Sequence, residues 1–416
     1  MKTLFLISLL NICVIYTGAQ QNNSVVIGNI DTIHSQILKE ERTIWVHVPA
    51  SLLGTSAKKK YPVVYLLDGE WNFTGVVGMI DLLSSINGNN VCPEMIVVGI
   101  PNTNRTRDLT PTRVTNGLWV DSNIIENSGG GENFTAFIEK ELIPHIDSLY
   151  PTSRYRVLIG HSLGGLTVMN TLLHHRTLFS SYVAIDPSMW WDKQRLLRET
   201  EHDLKTNTYK GTALYLAMAN TLPEGLDTIS VQRDTTDGTI HPRSILQLEK
   251  YITAARNKDE LQAGYKYYNG DGHSSVPLIA TYDALHFIFN DYPLVFKESF
   301  ITDSSFRLAA YLQIHYETIS SKYGITSMDG RLLPPAEDWI NGLGSYVLSK
   351  KQVRKAEELF KLNVKNYPES FNAYAALGDL YASRNDKANA KVNYRKSLSL
   401  KESAATRQKL DKMEGK

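Results

Sequence analysis

Apolar runs of strand length alternate with helix-like stretches from about residue 24 to residue 290. Several of these runs are continuously apolar, which is typical of parallel strands that are covered on both faces. The alternation predicts an α/β architecture. The predicted strands are Arg42–Val48, Val63–Leu67, Met95–Gly99, Tyr155–Ile159, Tyr182–Ile185, Ala213–Ala217 and Tyr265–Tyr268.

One long amphipathic helix is predicted over Asn133–Leu149, directly before the strand at Tyr155–Ile159. Its apolar side chains form a single stripe at helical spacing, which is typical of a helix with one face on a core. The stripe consists of Phe134, Phe137, Ile138, Leu142 and Ile146.

The composition changes beyond Pro334-Pro335, where helix-forming residues repeat at an offset of 34 positions. Leu343-Gly344 corresponds to Leu377-Gly378, Ala356 to Ala390, and Phe360 to Tyr394. This period resembles the tetratricopeptide repeat, with Pro368 closing the first unit. We predict two units, 336–369 and 370–403, which pack against residues 305–323 because about three repeats are normally needed for stability. The repeats either cap the preceding domain or bind a protein partner.

The first residues are typical of a secretory signal peptide, with a positive start at Lys2, an apolar stretch over Leu4–Tyr16 and small residues at Thr17-Gly18-Ala19. The apolar stretch is short for a membrane span, and no later segment is a candidate. We therefore expect an exported protein, periplasmic or secreted. The predicted organisation is a signal peptide at 1–19, an α/β domain at 20–300, a helical connector at 301–335 and helical repeats at 336–416.

Charge and cysteine content narrow the classes of function further. The chain has 44 lysines and arginines against 43 aspartates and glutamates, with a net charge of +1 at pH 7. No overall field therefore favours nucleic acid or an anionic membrane as a partner. Since Cys13 lies in the predicted signal peptide, Cys92 alone remains in the mature chain, which excludes an internal disulfide there.

A Gly-x-Ser-x-Gly motif over residues 160–164 joins a predicted strand to a helix-like run. A serine at the apex of such a turn has a strained backbone, and side chains at Gly160 or Gly164 would collide with it. The motif predicts that Ser162 is an exposed nucleophile, although the same pattern also occurs in plain tight turns. The unpaired Leu163 N–H at the start of the helix would then stabilise an oxyanion.

A serine hydroxyl needs a neighbouring base, and His273 fits that role best. It follows a predicted strand in the polar loop 269–275, where the carboxyl edge of the sheet would bring it near Ser162. The competing histidines are His174, His175, His241 and His286.

The acid that orients the histidine is expected in the loop after Ala213–Ala219. Glu224 comes soonest after that strand and is the first choice. Asp227 is the reserve, Asp234 lies farther on, and a Ser-His dyad without a carboxylate is the remaining alternative. The second oxyanion donor is expected after the strand that ends at Leu67, from the N–H of Gly69 or Glu70.

Four segments together resemble the putative esterase family, which contains esterase D, feruloyl esterases and siderophore trilactone esterases. They are Tyr-Pro-Val-Val-Tyr-Leu-Leu-Asp-Gly at 61–69, Gly-His-Ser-Leu-Gly-Gly at 160–165, Pro-Ser-Met-Trp-Trp at 187–191 and Asp-Gly-His at 271–273. The resemblance covers about residues 25–290 and is greatest to the enterobactin-esterase branch. It implies an α/β-hydrolase fold with a mostly parallel central sheet, with Ser162 as nucleophile and His273 as base.

The resemblance also directs attention to the substrate pocket. Asp68 stands where the feruloyl and esterase D branches have a histidine, so their substrates are not carried over. The family uses the region of 100–111 near its active site, and Arg105 would meet an acidic or catecholate group there by forked hydrogen bonds. Arg107 and Asp108 are expected to be structural partners. Trp190 and Trp191 would form either an aromatic wall or core.

The sequence thus predicts a serine esterase that acts on a small-molecule ester, either a siderophore-like trilactone or a carbohydrate acyl ester, without a metal or organic cofactor. Two alternatives belong to other classes. One is a catalytically weak hydrolase-fold scaffold that binds proteins through its repeats, and the other is a peptidase on the same fold.

Overall fold

The computed structural model describes residues 24–53, 59–117, 119–256 and 261–416, so the predicted signal peptide lies outside the described residues. An eight-stranded sheet forms the centre of the molecule, with the order β1-β2-β4-β3-β5-β6-β7-β8. The strands are β1 Asn29–Ser35, β2 Glu40–His47, β3 Tyr61–Leu67, β4 Ile96–Ile100, β5 Thr152–His161, β6 Ser181–Ile185, β7 Ala213–Ala219 and β8 Gln262–Tyr268.

The sheet is parallel from β4 to β8, whereas β1 and β2 pair antiparallel at one edge. All seven predicted strands are confirmed, with ends shifted by up to three residues. β1 was not predicted. It lies at the edge of the sheet, mostly exposed, and its polar sequence lacks the apolar run by which the others were recognised.

Sixteen helices lie between and after the strands in the described part of the chain. They are α1 Gly69–Ser84, α2 Arg105–Asp108, α3 Ser122–Asn127, α4 Gly131–Phe137, α5 Ile143–Leu149, α6 Leu163–His174, α7 Trp191–Thr206, α8 Ile240–Arg256, α9 Val276–Ile288, α10 Ser299–Thr302, α11 Leu308–Tyr323, α12 Glu337–Ser349, α13 Val353–Asn366, α14 Phe371–Ser383, α15 Lys387–Leu400 and α16 Ala404–Glu414.

The predicted helix over 133–149 is observed as α4 and α5 joined by a π turn, Ile138–Leu142. Pro144 follows this turn in the first residues of α5. Since proline has no N–H to donate to the preceding turn, a local change in the hydrogen-bond pattern is expected here.

The central strands are apolar throughout because both faces of the sheet are covered. Every residue of β3, β6 and β7 is buried. Alternate side chains enter two cores: Leu158 and Leu214 belong to one face, and Val157 and Tyr215 to the other. The carboxyl ends of these strands therefore form the rigid edge on which a site can be built.

The C-terminal helices α12 to α15 repeat their bounds at an offset of 34 residues, so that α14 corresponds to α12 and α15 to α13. A Cβ at Gly344 would meet the Phe360 ring, and one at Gly378 would meet the Tyr394 ring, so each pair packs the same way. Residues of α11 share their apolar core, which confirms the expected packing against 305–323. The tetratricopeptide assignment itself stays a prediction, as do the domain limits.

The described residues include no helix that is both long and apolar enough to cross a bilayer. Cys92 is free and buried, and burial raises the pKa of its thiol to about 12.

Candidate active site

Ser162 occupies the sharp turn between β5 and α6 with φ 59° and ψ −115°, a conformation that side chains rarely adopt. A Cβ at Gly160 would collide with the carbonyl oxygen of Gly164, and one at Gly164 would lie 3.2 Å from Asp68 Oδ2. The turn is anchored from β6, since Ser162 N–H donates to the Ile185 carbonyl oxygen at 3.0 Å. Gly160 is therefore required by close backbone approach, and Gly164 lies where a side chain would crowd the Asp68 carboxylate.

His273 lies beside this serine, as expected. Its Nε2 is 3.1 Å from Ser162 Oγ, although the two residues are 111 positions apart in the chain. The loop between β8 and α9 carries it back across the carboxyl edge of the sheet. Ser188 Oγ lies 3.3 Å from Ser162 Oγ. Among the competing histidines, His174 and His175 lie at the end of α6, and His286 lies on α9.

The carboxylate next to His273 is Asp186, not Glu224. Asp186 Oδ2 lies 2.5 Å from His273 Nδ1, and its side chain is 0% exposed. Glu224 is exposed, whereas Asp227 and Asp234 bind the backbone and hydroxyl groups of their own turns. The expectation of an acid after β7 is wrong because Asp186, the residue that follows β6, already occupies the position beside His273.

The register of the sheet explains this placement. Ile185 in β6 pairs with His161 in β5, so the residue after each strand lies at the same edge. The sequence contained this signal, because Asp186 directly follows the apolar run 182–185. The loop after β7 serves the same carboxylate differently, since Ala219 N–H donates to Asp186 Oδ1 at 2.9 Å.

A second histidine, His241, contacts the carboxylate that is hydrogen-bonded to His273. His241 Nε2 is 2.9 Å from Asp186 Oδ2, so one carboxylate oxygen contacts two imidazoles. Burial alone would raise the pKa of Asp186, but hydrogen bonds with His241 and His273 outweigh it and hold that pKa well below its usual range. Asp186 is therefore charged at neutral pH.

His161 packs against His273 with ring centroids 4.4 Å apart and ring planes tilted by 46°. Burial, and then the nearby His273, lower the pKa of His161 to about 4, so its ring is neutral at pH 7.

Asp186, His241 and His273 also form the one group of potential metal ligands found among the described residues, with ligand atoms within 4.8 Å of one another. The atoms concerned already share the two hydrogen bonds of 2.5 and 2.9 Å. A metal ion would have to replace those two hydrogen bonds. The arrangement of these three side chains therefore fits a proton-transfer site better than a metal-binding site.

The region expected to supply the oxyanion donors lies next to the serine turn. Leu163 is the first residue of α6 and Gly69 the first of α1, so their N–H groups belong to helix starts, where no intrahelical partner exists. The end of β3 contacts the serine turn, since a Cβ at Gly164 would also lie 3.5 Å from Leu67 Cβ. The Glu70 side chain is bonded to Asn102.

Arg105 does not hold the position that the sequence predicts. Its Nε lies 2.7 Å from Asp68 Oδ1 and its Nη2 3.0 Å from Asp68 Oδ2, so its forked face is used by a carboxylate of the protein. It is absent from the lining of the serine cavity. The expected pairing of Arg107 with Asp108 is confirmed at 2.7 Å.

A cavity of about 330 Å³ opens beside Ser162. Trp190 forms one wall, where it meets Trp119 edge to face with ring centroids 4.9 Å apart. Trp191 instead is 3% exposed, outside this lining, and its Nε1 donates to Thr112. Trp190 thus belongs to the cavity wall and Trp191 to the core. Trp119 was not predicted, because no motif next to it in the sequence indicates a place in the site. The lining consists of Trp119, Ser162, Ser188, Trp190, Thr221, Gly238, His241, Pro242 and His273.

The sequence model of the putative esterase family matches residues 35–273, which is more than half of the chain and includes both Ser162 and His273. The chain belongs to the putative esterase family. It is 27% identical over 243 residues to the ferri-bacillibactin esterase BesA of Bacillus subtilis (strain 168), covering 55% of this chain and 78% of the relative. It is 28% identical over 158 residues to a siderophore enterobactin esterase of Emericella nidulans, covering 35% of this chain and 52% of the relative.

One solved structure at 30% identity agrees with this family, and a second shares the fold. An IroE-like serine hydrolase from Shewanella oneidensis is 30% identical with a TM-score of 0.65, covering 81% of this chain and 98% of the other. An uncharacterised protein from Capnocytophaga ochracea shares the fold at 18% identity, with a TM-score of 0.66, covering 94% of this chain and all of the other (100%). This member of the putative esterase family is therefore an enzyme that hydrolyses ester bonds.

Proposed function

We propose that this esterase cleaves a carboxylic ester through an acyl-enzyme on Ser162. The observation that carries the proposal is one continuous set of hydrogen bonds, from Ser162 Oγ to His273 Nε2 at 3.1 Å and from His273 Nδ1 to Asp186 at 2.5 Å. This order of hydroxyl, imidazole and buried carboxylate is the arrangement that activates a serine.

In the first step, His273 Nε2 takes the Ser162 hydroxyl proton as Oγ attacks the ester carbonyl carbon. The tetrahedral intermediate then expels the alcohol, which receives that proton from His273, and leaves the acyl group on Oγ. In the second half of the reaction, His273 takes a proton from water as the water oxygen attacks the acyl carbon. The carboxylic acid then leaves, and His273 returns the proton to Ser162 Oγ. Asp186 stabilises the imidazolium that forms in each half.

The negative oxygen of both intermediates needs preorganised donors. Leu163 N–H and the N–H of Gly69 or Glu70 are proposed for this role, since α6 and α1 both start beside the serine turn. Donors at helix starts need no reorganisation during the reaction, and removing one donor of this kind typically costs about 100- to 1,000-fold in rate.

For the substrate we propose an ester of the siderophore-lactone type. The named relatives are siderophore esterases, and the half-buried Trp190 with Trp119 gives the cavity an aromatic wall suited to a ring. A hydrolysis panel of catecholate trilactones, feruloylated and acetylated sugars, and simple acyl esters tests this choice. A preference for the sugar esters would assign the enzyme to the carbohydrate class instead.

The decisive experiment replaces the nucleophile. Ser162→Ala should lower kcat/KM for p-nitrophenyl butyrate by at least about 10⁴-fold, because triad members act as a unit. Ser345→Ala, at an exposed serine on α12, is the matched control and should match the unaltered enzyme. A fluorophosphonate probe should label the unaltered chain on Ser162 and leave Ser162→Ala unlabelled. Full turnover by a folded Ser162→Ala enzyme would refute the proposal.

The hydrogen-bonded triad favours catalysis over a scaffold with a degenerate hydrolase domain. Comparison of matched amide and ester substrates separates the esterase from a peptidase. Export follows from the sequence of residues 1–19 and is proposed on that ground alone. A protein partner for the repeats is also proposed from sequence alone. If a partner protein bound a chain without residues 336–416 as well as it bound the full chain, the repeats would not be its binding site.

A further inference from the structure

Two buried polar atoms in the wall of the serine cavity have no hydrogen-bond partner among the described residues. They are the Thr221 hydroxyl oxygen Oγ1 and the His241 ring nitrogen Nδ1. Both residues line the same cavity as Ser162 and His273. Buried polar groups are nearly always hydrogen-bonded, so two such atoms in one cavity wall indicate a partner that arrives with the ligand.

The chemistry of that partner follows from the two atoms. His241 Nε2 contacts the Asp186 carboxylate, which only accepts hydrogen bonds, so Nε2 carries the proton. In the neutral ring Nδ1 is then an acceptor and needs a donor. The Thr221 hydroxyl can donate as well as accept. A neutral hydroxyl group has the chemistry to pair with either atom, because its proton can be donated to the nitrogen and its oxygen can accept from the threonine hydroxyl.

The remaining lining argues for an uncharged group at this position. The described residues that line the cavity include no lysine, arginine, aspartate or glutamate. Arg105, the cation expected from the sequence, is paired with Asp68 instead. An anionic group would enter the cavity without a counter-charge in its wall, whereas a hydroxyl would not need one.

We propose that Thr221 and His241 form a polar subsite that binds a neutral hydroxyl group of the substrate ester, in the cavity that Trp119 and Trp190 also line. The subsite rests on the proposed function, since it positions an ester for attack by Ser162. It narrows the substrate class to esters with a hydroxyl group near the scissile carbonyl.

The test compares matched pairs of p-nitrophenyl esters that differ by one hydroxyl group, 3-hydroxybutyrate with butyrate and 3-hydroxybenzoate with benzoate. Each kcat/KM is divided by the rate of alkaline hydrolysis of the same ester, which removes intrinsic reactivity. We expect the hydroxylated ester of at least one pair to be preferred by about 5- to 150-fold, the range for satisfying a buried polar group.

Thr221→Val keeps the shape of the side chain and removes only its hydroxyl. It should lower kcat/KM for the hydroxylated esters more than for their counterparts without a hydroxyl group, so that the preference falls below about 3-fold. Thr208→Val, at an exposed threonine outside the cavity lining, is the control and should keep the preference.

Three results would refute the proposed subsite, and each can be distinguished from the result that would refute the serine mechanism. Equal use of both members in both pairs would refute it, as would an unchanged preference in Thr221→Val. An equal loss on all esters would make Thr221 a structural residue instead. If Ser162→Ala hydrolysed the same esters at full rate, the serine mechanism itself would be wrong.

Discussion

The contact between His241 and Asp186 gives the sharpest prediction about catalysis. Asp186 accepts three hydrogen bonds, from His273 at 2.5 Å, from His241 at 2.9 Å and from Ala219 N–H at 2.9 Å. His241→Ala removes one of the three and leaves the other two in place. The carboxylate then stays ionised and near His273, but it is held less firmly.

The size of the effect follows from the type of bond that is lost. A hydrogen bond to a charged group contributes about 1.5 to 3 kcal/mol. If all of that is used to hold Asp186 in place during catalysis, kcat/KM at pH 7 falls by about 10- to 150-fold. Asp186→Asn should cost far more, about 10⁴-fold, because the amide loses the charge and favours the wrong tautomer of His273.

The pH profile separates this role from a merely structural one. The hydrogen bond with His241 is the largest influence that lowers the pKa of Asp186, so removing it should raise that pKa. The acidic limb of kcat/KM against pH should therefore move to higher pH in His241→Ala. His241→Gln, whose amide can donate to the same oxygen, should restore part of the rate and of the profile.

The assay is hydrolysis of p-nitrophenyl butyrate between pH 5 and 9, with folding checked by circular dichroism and thermal unfolding. A folded His241→Ala enzyme whose kcat/KM and acidic limb match those of the unaltered enzyme would show that His241 has no part in positioning the acid.

Two further predictions concern the serine turn. Gly160→Ala puts a methyl group into the carbonyl oxygen of Gly164, and we expect a loss of activity together with about 1 to 3 kcal/mol of stability; Gly78→Ala, in open space on α1, should leave activity unchanged in the same assay and urea titration. His161, whose pKa is lowered from 6.5 to about 4, stabilises the folded state fully above pH 6.5 and loses this contribution, about 2 to 4 kcal/mol, as the pH falls toward 4. Urea unfolding of His161→Gln should lack that dependence, and parallel curves for both proteins would contradict the assignment.

Most of the fold could be predicted because the hydrophobic pattern reports burial directly. β3 and β7 are buried on both faces, and their continuous apolar runs are visible in the sequence. β1 was missed because an exposed edge strand has no such run. The π turn before Pro144 was also missed, since periodicity identifies a helix but not a single altered turn within it.

Some residues of the candidate site could be predicted from the sequence and others could not. Ser162 and the position of His273 could be predicted because backbone constraints and loop position leave marks in the sequence. Asp186 also follows an apolar run, but the sequence alone does not show which strand lies next to β5, and that order decides between Asp186 and Glu224. That order is set by packing, and only the pairing of β6 with β5 brings Asp186 to the serine.

Arg105 shows why a charged residue near a predicted site need not bind the substrate. Asp68 follows β3, and its side chain is 0% exposed. Because a buried charge is costly without a partner, this carboxylate needs one within the protein. Arg105 supplies it with two hydrogen bonds, and its Nη2 also lies 3.4 Å from the His161 carbonyl oxygen. The pair thus joins the loops after β3 and β4 to the strand that carries Ser162. Arg105→Lys would keep the charge but not the two-pronged hydrogen bond, so it should lower kcat more than it raises KM if Arg105 positions the proposed oxyanion donors without contacting the ester.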